Sequence, residues 1–376
     1  MNNFKQHEMC RIEIIHCAET IKGGITTYLR ELIPLQASAY GSSAVRLVVP
    51  KSQAGEIADV GDTVPFHDGG GRLVSSLRLA AAVIGQIRRH RPSIVHVHST
   101  FAGLFVRPLL ALLFPRLKIV YCAHGWAWDR PDGRIAKTVV SAAERRLLRL
   151  TSAVVCISRH DYQAALSARL NARLLHVVLN GLNTEGPSAR KGVFSWPEDV
   201  LRVLYVGRFD HQKGFDVLLE AARLMKSAAC IVMAGAPVLA DAHYMSLLDE
   251  RDPRVELVGW QDPSGLAALF ESADVVVIPS RWEGFGLVAL EAMRAGVAVV
   301  ASRVGGLAEV VVDDVTGVLV TPGDAAELAS VLDQSDRDWD QLGKRGRERF
   351  MSEFDIARTF DGLDKIYRSV LGCGPQ

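Results

Sequence analysis

Short apolar, β-branched runs recur along the chain, each followed by a longer stretch whose apolar residues return every three or four positions. That alternation predicts strands interleaved with helices, hence parallel α/β folding throughout. In the first half the runs are Ile12–His16, Val45–Val49, Ile94–His98, Ile119–Cys122, Val154–Ile157 and Leu174–Val178, with helical stretches near 24–38, 73–90, 103–114, 134–150 and 159–169. A second series comprises Leu201–Val206, Cys230–Ala234, Arg254–Val258, Val275–Ile278, Ala298–Ala301 and Gly317–Val320, with helical stretches near 214–226, 242–250, 264–271, 286–295 and 305–312. Residues 179–200, LNGLNTEGPSARKGVFSWPEDV, separate the two series with the Gly, Ser and Pro content of a linker. From about 338 to 371 the pattern is helical again, with Phe350, Phe354, Ile356, Phe360, Leu363, Ile366, Tyr367 and Leu371 near helical period. Two doubly wound domains are expected, 1–180 and 181–354, with a last helix at about 355–376 packing back on the first. Such sheets take ligands at the carboxyl ends of their strands, here in a cleft that the two domains face.

A chain of 376 residues is too long for one comfortable core, which supports the same division. Its 49% hydrophobic and 23% charged residues are ordinary for a globular protein. The start, MNNFKQHEMC, lacks a signal-type apolar run, and no stretch of 18 apolar residues occurs, so a cytoplasmic protein, soluble or lying on a membrane, is expected. Six scattered cysteines without a C-x-x-C pair argue against a zinc site and a disulfide framework, and suit a reducing compartment.

Net charge is only +1, but it is unevenly spread: residues 1–180 hold 23 Lys and Arg against 12 Asp and Glu, and the remainder 20 against 30. From Gly69 to Trp128 there is no acid, yet there are eight bases: Arg72, Arg78, Arg88, Arg89, Arg91, Arg107, Arg116 and Lys118. An anionic partner for the first half follows. No binding motif or aromatic-rich basic strand favours nucleic acid, and an anionic membrane surface fits better.

Three loops carry candidate chemistry. In YVGRFDHQKGF, 205–215, Gly207 permits a sharp turn after a strand while Arg208 and Lys213 extend from it. Two cations so spaced either clamp a diphosphate and stabilise it as it leaves, or merely decorate a solvated turn. In PSRWEGFGLVALEAMRAG, 279–296, a strand gives way to a helix near Phe285, Gly286 and Leu287, whose free amides form an anion site. Glu283 lies outside that helix and Glu291 about one turn inside it. A carboxylate within LVALEAM needs a partner. An ion pair with Arg208 or Arg294 would serve; ribose hydroxyls are favoured, because flanking glycines leave room for a ligand. In KGGITTYL, 22–29, Gly23 and Gly24 permit close approach to phosphate. No G-x-G-x-x-G occurs, which weighs against hydride chemistry. The D-x-D runs of DRDWD, 336–340, precede a charged helix and read as caps rather than metal ligands.

These residues resemble glycosyltransferase family 4, retaining enzymes of the GT-B fold. The likeness covers almost the whole chain and is strongest in VGRFDHQKGFDVLLEA, PSRWEGFGLVALEAMRAGVAVVAS and VGGLAEVVVDDVTGVLVTPGD. GGITTYL, VHVHS, AHG, VCIS and LNGLN follow the family order, although Asn183 stands where the family commonly has Asp. The resemblance implies an acceptor domain followed by a nucleotide-sugar donor domain. Arg208 and Lys213 would meet the donor diphosphate, Glu291 the ribose, and Glu283 with the Phe285–Leu287 backbone the sugar and phosphates. Gly207 would shape that site, the Gly23–Gly24 loop would close over the diphosphate, and the base would be read near Val258–Trp260. His124 matches a family histidine near the reacting centre, although a lone histidine is equally a structural loop residue. Retention without a metal or other cofactor is implied, with the departing phosphate oxygen taking the acceptor proton.

By resemblance to family members that act on lipid-linked sugars at membranes, the basic first half would face a lipid-linked glycan acceptor, as in cell-surface polysaccharide synthesis. Segment 72–91 would place Leu73, Leu77, Ile84 and Ile87 on one face, and LFVRPLLALLF, 104–114, is apolar nearly all round. Such a helix either lies in a membrane interface or is wholly buried. Trp126 and Trp128 are expected on a loop, stacking on an acceptor sugar, anchoring at headgroup level or packing the loop. The alternatives to a lipid-linked acceptor are a small soluble one, or a binding-only protein without turnover.

Overall fold

The computed structural model describes residues 11–129, 134–237 and 242–373. The chain forms two compact units, one running through Leu179 and resuming at Ile356, the other Asn180–Asp355. In the first, β1 (Ile14–Ala18), α1 (Gly24–Tyr40), β2 (Val45–Pro50), β3 (Asp62–Phe66), α2 (Arg72–His90), β4 (Ile94–His98), α3 (Thr100–Leu113), β5 (Lys118–Cys122), α4 (Arg134–Leu147), β6 (Ala153–Cys156), α5 (Arg159–Ser167) and β7 (Leu175–Val177) alternate. All seven strands are parallel, in the order β3-β2-β1-β4-β5-β6-β7. Strand β3 was not expected. Its sequence DTVPF contains Pro65, which only an edge strand tolerates, and β3 pairs with β2 alone.

The second unit contains β8 (Leu201–Val206), α6 (Phe215–Leu224), β9 (Ala229–Ala234), α7 (Ala242–Asp249), β10 (Val255–Gly259), α8 (Pro263–Ser272), β11 (Val275–Ile278), α9 (Leu287–Ala295), β12 (Ala298–Ser302), α10 (Leu307–Val310), β13 (Val318–Val320), α11 (Ala325–Leu332) and α12 (Trp339–Glu353). Its parallel sheet runs β10-β9-β8-β11-β12-β13. Each sheet is thus doubly wound, with its first strand near the middle and its order reversing there. Helix α11, absent from the sequence expectation, is only two turns long and follows the turn-rich VTPGD. Asp324 caps it by accepting from Glu327 N at 2.9 Å. Asp338 of DRDWD does the same for α12, accepting from Gln341 N at 2.9 Å.

The last helix, α13 (Ile356–Leu371), belongs to the first unit and packs against α1. Tyr40 Oη donates to Asp364 at 2.8 Å, Thr359 Oγ1 donates to Leu179 O at 2.8 Å, and Tyr367 is fully buried.

Three features of the first unit differ from expectation. Arg107 is not a surface base. It lies fully buried on α3, bidentate to Glu144 at 2.8 and 2.6 Å, donating through Nε to Gly103 O and stacked 3.8 Å over the Tyr121 ring. A buried charge persists only with such complete pairing. Of the other seven bases, Arg72, Arg78, Arg88, Arg89, Arg91 and Arg116 are exposed and Lys118 is half-buried. On α2 the buried face is Leu79, Ala80, Val83 and Ile87, so Leu73 and Leu77 do not share it; both are exposed, as are Leu104, Leu112 and Leu113 of the adjoining α3. Cys17, Cys122 and Cys156 are free and buried, as is Cys230 of the second unit, whereas Cys373 is disulfide-bonded, where the scattered cysteines argued against a disulfide framework. Among the described residues no helix is long and apolar enough to cross a membrane.

Candidate functional site

In the second unit, three loops leave the carboxyl ends of the neighbouring strands β8, β11 and β12 and are tied to one another. Gly207 ends β8 and donates to Ala234 O at 3.0 Å. The loop then folds back through Asp210, whose Oδ1 accepts from Lys213 N at 3.0 Å and whose Oδ2 pairs with Arg208 at 2.9 Å. Arg281, after β11, donates its backbone N–H to Gln212 O at 2.8 Å and grips Asp216 with both guanidinium nitrogens, at 2.8 and 2.7 Å. Gln212 in return donates to Trp282 O at 3.3 Å. Helix α6 starts at Gly214 in the left-handed region, and a Cβ there would overlap the Pro279 carbonyl, so only glycine lets the β8 loop lie this close to β11.

That closeness brings Lys213 Nζ onto Glu283 Oε2 in an ion pair, although 70 positions separate them in sequence. Lys213 and Glu283 remain 21% and 13% exposed at their side chains and Arg208 34%, so the cluster is shielded yet reachable. The β12 loop supports it from behind: Gly306 N donates to Glu283 O at 3.2 Å, and a Cβ on Gly305 would collide with that carbonyl. Phe285 is buried, Gly286 opens α9 in the left-handed region, and no side chain caps the helix or places an acid in its first turn. Leu287 and Glu291 are half-buried on that helix, and Glu291 has an interaction of its own. At Val258 the carbonyl already accepts from Gln261 Nε2 at 2.6 Å, while Trp260 is exposed.

The remaining candidates belong to the first unit. Gly23, with φ 78°, is the uncapped start of α1, and Gly24 is its first helical residue; α1 too has no acid in its first turn. His124 is half-buried just after β5, with an unusual φ of 55°, and donates or accepts at 2.9 Å with His98. Burial pushes its imidazole pKa down to about 3, so the ring is neutral. The tryptophans do not form an exposed platform. Trp126 and Trp128 are buried in the first core, stacked on each other at 4.5 Å between centroids, and Trp126 Nε1 donates to Asp161 O at 2.7 Å. Stacking on an acceptor sugar is therefore withdrawn for both. The rest of that loop, residues 130–133, lies outside the described residues.

Sequence reasoning missed the Arg281–Asp216 latch, the Gly305–Gly306 support, and a row of imidazoles behind His124. Only the last had a legible signal, the i, i+2 histidines of VHVHS in an otherwise apolar strand.

Doubly wound parallel sheets in two units, with uncapped helix starts and paired cations at the strand ends, define a glycosyltransferase of the GT-B class, as comparison with known proteins establishes. Residues 22–185 match the profile of Glycosyltransferase Family 4, and residues 189–349 that of Glycosyl transferases group 1. A 41.2 kDa protein in the cps region of Klebsiella pneumoniae is 30% identical over 368 residues, covering 95% of this chain and 100% of that protein. The Escherichia coli UDP-Gal:alpha-D-GlcNAc-diphosphoundecaprenol alpha-1,3-galactosyltransferase is 22% identical, covering 78% of this chain and 80% of that one. The crystal structure of Anabaena Alr3699/HepE in complex with UDP-glucose superposes with a TM-score of 0.80 at 20% identity, covering 95% of this chain and 99% of that one. The chain belongs to glycosyltransferase family 4.

Proposed function

We propose that this glycosyltransferase moves a hexosyl group, with retention and without a metal, from a nucleoside-diphosphate sugar to a lipid-linked glycan during cell-surface polysaccharide synthesis. The Lys213–Glu283 pair beside Arg208 carries this reading. Each cation now faces a carboxylate of its own chain, so the cluster holds its charges without a ligand. A diphosphate would take over Lys213 and Arg208 as its counter-ions, with the α9 amides as further donors. Positive groups fixed where charge grows on the leaving diphosphate lower the barrier without reorganising. Glu283, once released from Lys213, is a hydrogen-bond acceptor for sugar hydroxyls, and Glu291 for the ribose.

Retention follows if the acceptor attacks on the face that the diphosphate leaves, its proton passing to the departing phosphate oxygen. A lipid-linked acceptor is supported by the activity for which the Escherichia coli relative is named and by the cps region of the Klebsiella relative. The surface of α2 and α3 suits it, with exposed Leu73, Leu77, Leu104, Leu112 and Leu113 accompanied by exposed arginines. Each base near an anionic leaflet adds about 1 kcal/mol to binding. UDP is the first donor base to test, because the Anabaena neighbour holds UDP-glucose and the Escherichia coli relative uses UDP-Gal.

The deciding experiment incubates the protein with UDP-glucose, UDP-galactose, and GDP- and ADP-sugars, and follows the anomeric proton of the product by NMR. Release of the α-anomer from an α-linked donor is expected. An inverted product would overturn the mechanism, and no shift in melting temperature with any sugar nucleotide would overturn the donor class. Sedimentation with phosphatidylglycerol vesicles at low salt tests the membrane contact, which fails if the protein stays in the supernatant.

A further inference from the structure

The first unit buries three histidines on adjacent strands at the centre of its sheet. His16 on β1 stands in register with His96 on β4, and His98 follows two residues later on the same face. Buried imidazoles are costly without hydrogen bonds. Two of them, His16 and His98, are joined in single file with Gln36 and His124. Gln36 Oε1 meets His16 Nε2 at 2.8 Å, His16 Nδ1 meets His98 Nε2 at 2.9 Å, and His98 Nδ1 meets His124 Nε2 at 2.9 Å. At the inner end Gln36 is fully buried and its Nε2 faces Tyr367 Oη of α13 at 3.4 Å, and that hydroxyl in turn meets His96 Nδ1 at 2.7 Å, so His96 lies beyond the amide and not in the row of rings. The outer end is His124, half-buried and held in its left-handed backbone conformation.

A neutral imidazole has one N–H and one lone pair, so each ring-to-ring contact dictates the next. Gln36 Oε1 only accepts, which puts the proton of His16 on Nε2 and its lone pair on Nδ1. His98 must then donate from Nε2, and so must His124. All three rings share one tautomer, and the last presents Nδ1 as an acceptor. The amide of Gln36 has no basic site that can take up a proton, so the row has no sink for charge and serves as a lock rather than a conduit. Burial agrees: it lowers His16 to about 4 and holds His98 well below the ordinary histidine value.

Resting on the transferase reading, we propose that Gln36, His16 and His98 are positioning residues that keep His124 neutral and in its Nε2–H form, so that its Nδ1 accepts a hydrogen bond from a hydroxyl of the sugar substrate. A neutral acceptor suits an uncharged hydroxyl, whereas a cationic ring would favour phosphate oxygens. The backbone strain at His124 points the same way, since such strain persists where the surroundings impose it for a task. A metal is the rival explanation, because His16, His96 and His98 offer nitrogens within 4.8 Å of one another. His98, Cys122 and His124 form a second such group. But His16 Nδ1 and His98 Nε2 already share a proton, as do His98 Nδ1 and His124 Nε2, and burial raises the Cys122 thiol well above its ordinary value, so no anionic ligand stands ready to balance a buried dication.

The test is a long-range proton–nitrogen correlation spectrum of the whole protein labelled in its histidines, with rings assigned from single His→Gln variants. His16, His98 and His124 are expected as neutral Nε2–H tautomers from pH 7 down to pH 5. An Nδ1–H or averaged ring at His124, a cationic ring in that range, or stoichiometric metal by elemental analysis would overturn the lock. The functional half uses Gln36→Leu. Its kcat is expected to fall about tenfold, the scale of losing an orienting partner behind a histidine, with UDP affinity unchanged and His124 no longer in a single tautomer. Unchanged kcat with a scrambled tautomer would overturn the positioning role. If the wild type turned over no sugar nucleotide, the transferase reading would fall instead, and the tautomer spectrum, which needs no turnover, distinguishes that result.

Discussion

The two units build their polar clusters in opposite ways. Around Lys213 the second unit assembles full charges, half shielded and paired through long side chains: Lys213 with Glu283, Arg208 with Asp210, Arg281 with Asp216. Around His98 the first unit assembles neutral groups, buried except at the half-buried His124 and paired ring to ring. An ion pair near solvent is easily exchanged, because water and ligand both compete for its members and its net contribution to stability is small. A buried neutral row cannot be exchanged, because breaking one bond strands a donor or acceptor away from water. The first arrangement would accommodate an anionic ligand by trading partners; the second would keep one ring invariant. Charge for the ligand that arrives and leaves, neutrality for the group that must not change, is the division these clusters teach.

Replacing one member from each side is the strongest way to break that contrast. Lys213→Ala should lower kcat by about 10²–10³-fold, the usual cost of one preorganised charge donor at a leaving group, while the melting temperature stays close to wild type. His98→Leu should do the reverse on stability, lowering the melting temperature clearly because His16 and His124 lose their shared partner. Calorimetry together with a UDP-release assay separates the two. A stable His98→Leu, or an unstable Lys213→Ala, would refute the division.

A smaller effect appears in acid. Burial holds His16 near 4 and His124 near 3, and lowers His96 and His98 well below the ordinary value. In the unfolded chain each titrates near about 6.5. Between those limits the unfolded chain binds more protons, so stability is complete above about pH 6.5 and declines as pH falls towards 4. The melting temperature should follow that slope, and His96→Phe should flatten it. A profile unaltered by His96→Phe would show that this buried imidazole is not among its sources.

The smallest expected change lies outside both clusters. Asp338→Ala removes the cap of α12 and should cost about 1 kcal/mol in urea denaturation, with transfer unaffected. A loss of activity there would mean that the D-x-D run does more than cap a helix.

Much of the fold was legible because it depends on local pattern. Leu201–Val206 and Val275–Ile278 are apolar runs bounded by turn residues, and the structure ends both strands where the pattern does. Strand β3 was illegible because Pro65 and Asp62 mimic a loop until an edge position excuses them. For Trp126 and Trp128 the structure favours the packing alternative over the exposed ones, because burial in a loop is decided by what packs above it and not by its own sequence. Arg107 misled for a related reason: its partner Glu144 is 37 positions away, and composition counts a base without knowing what neutralises it.

By itself the chain's order of residues determined the alternation of strands and helices, the two sheets, the family, and which side chains are candidates for phosphate and sugar chemistry. These follow from periodicity, turn residues and motif spacing, all of which act over a few neighbours. Tertiary structure alone decided that Lys213 rests on Glu283, that Arg281 latches two loops through Asp216, and that Gln36 sets the proton on His124 through two intervening rings. Hydrogen bonds and ion pairs act over about 3 Å, and only the folding of distant strands into one sheet brings such residues within that reach.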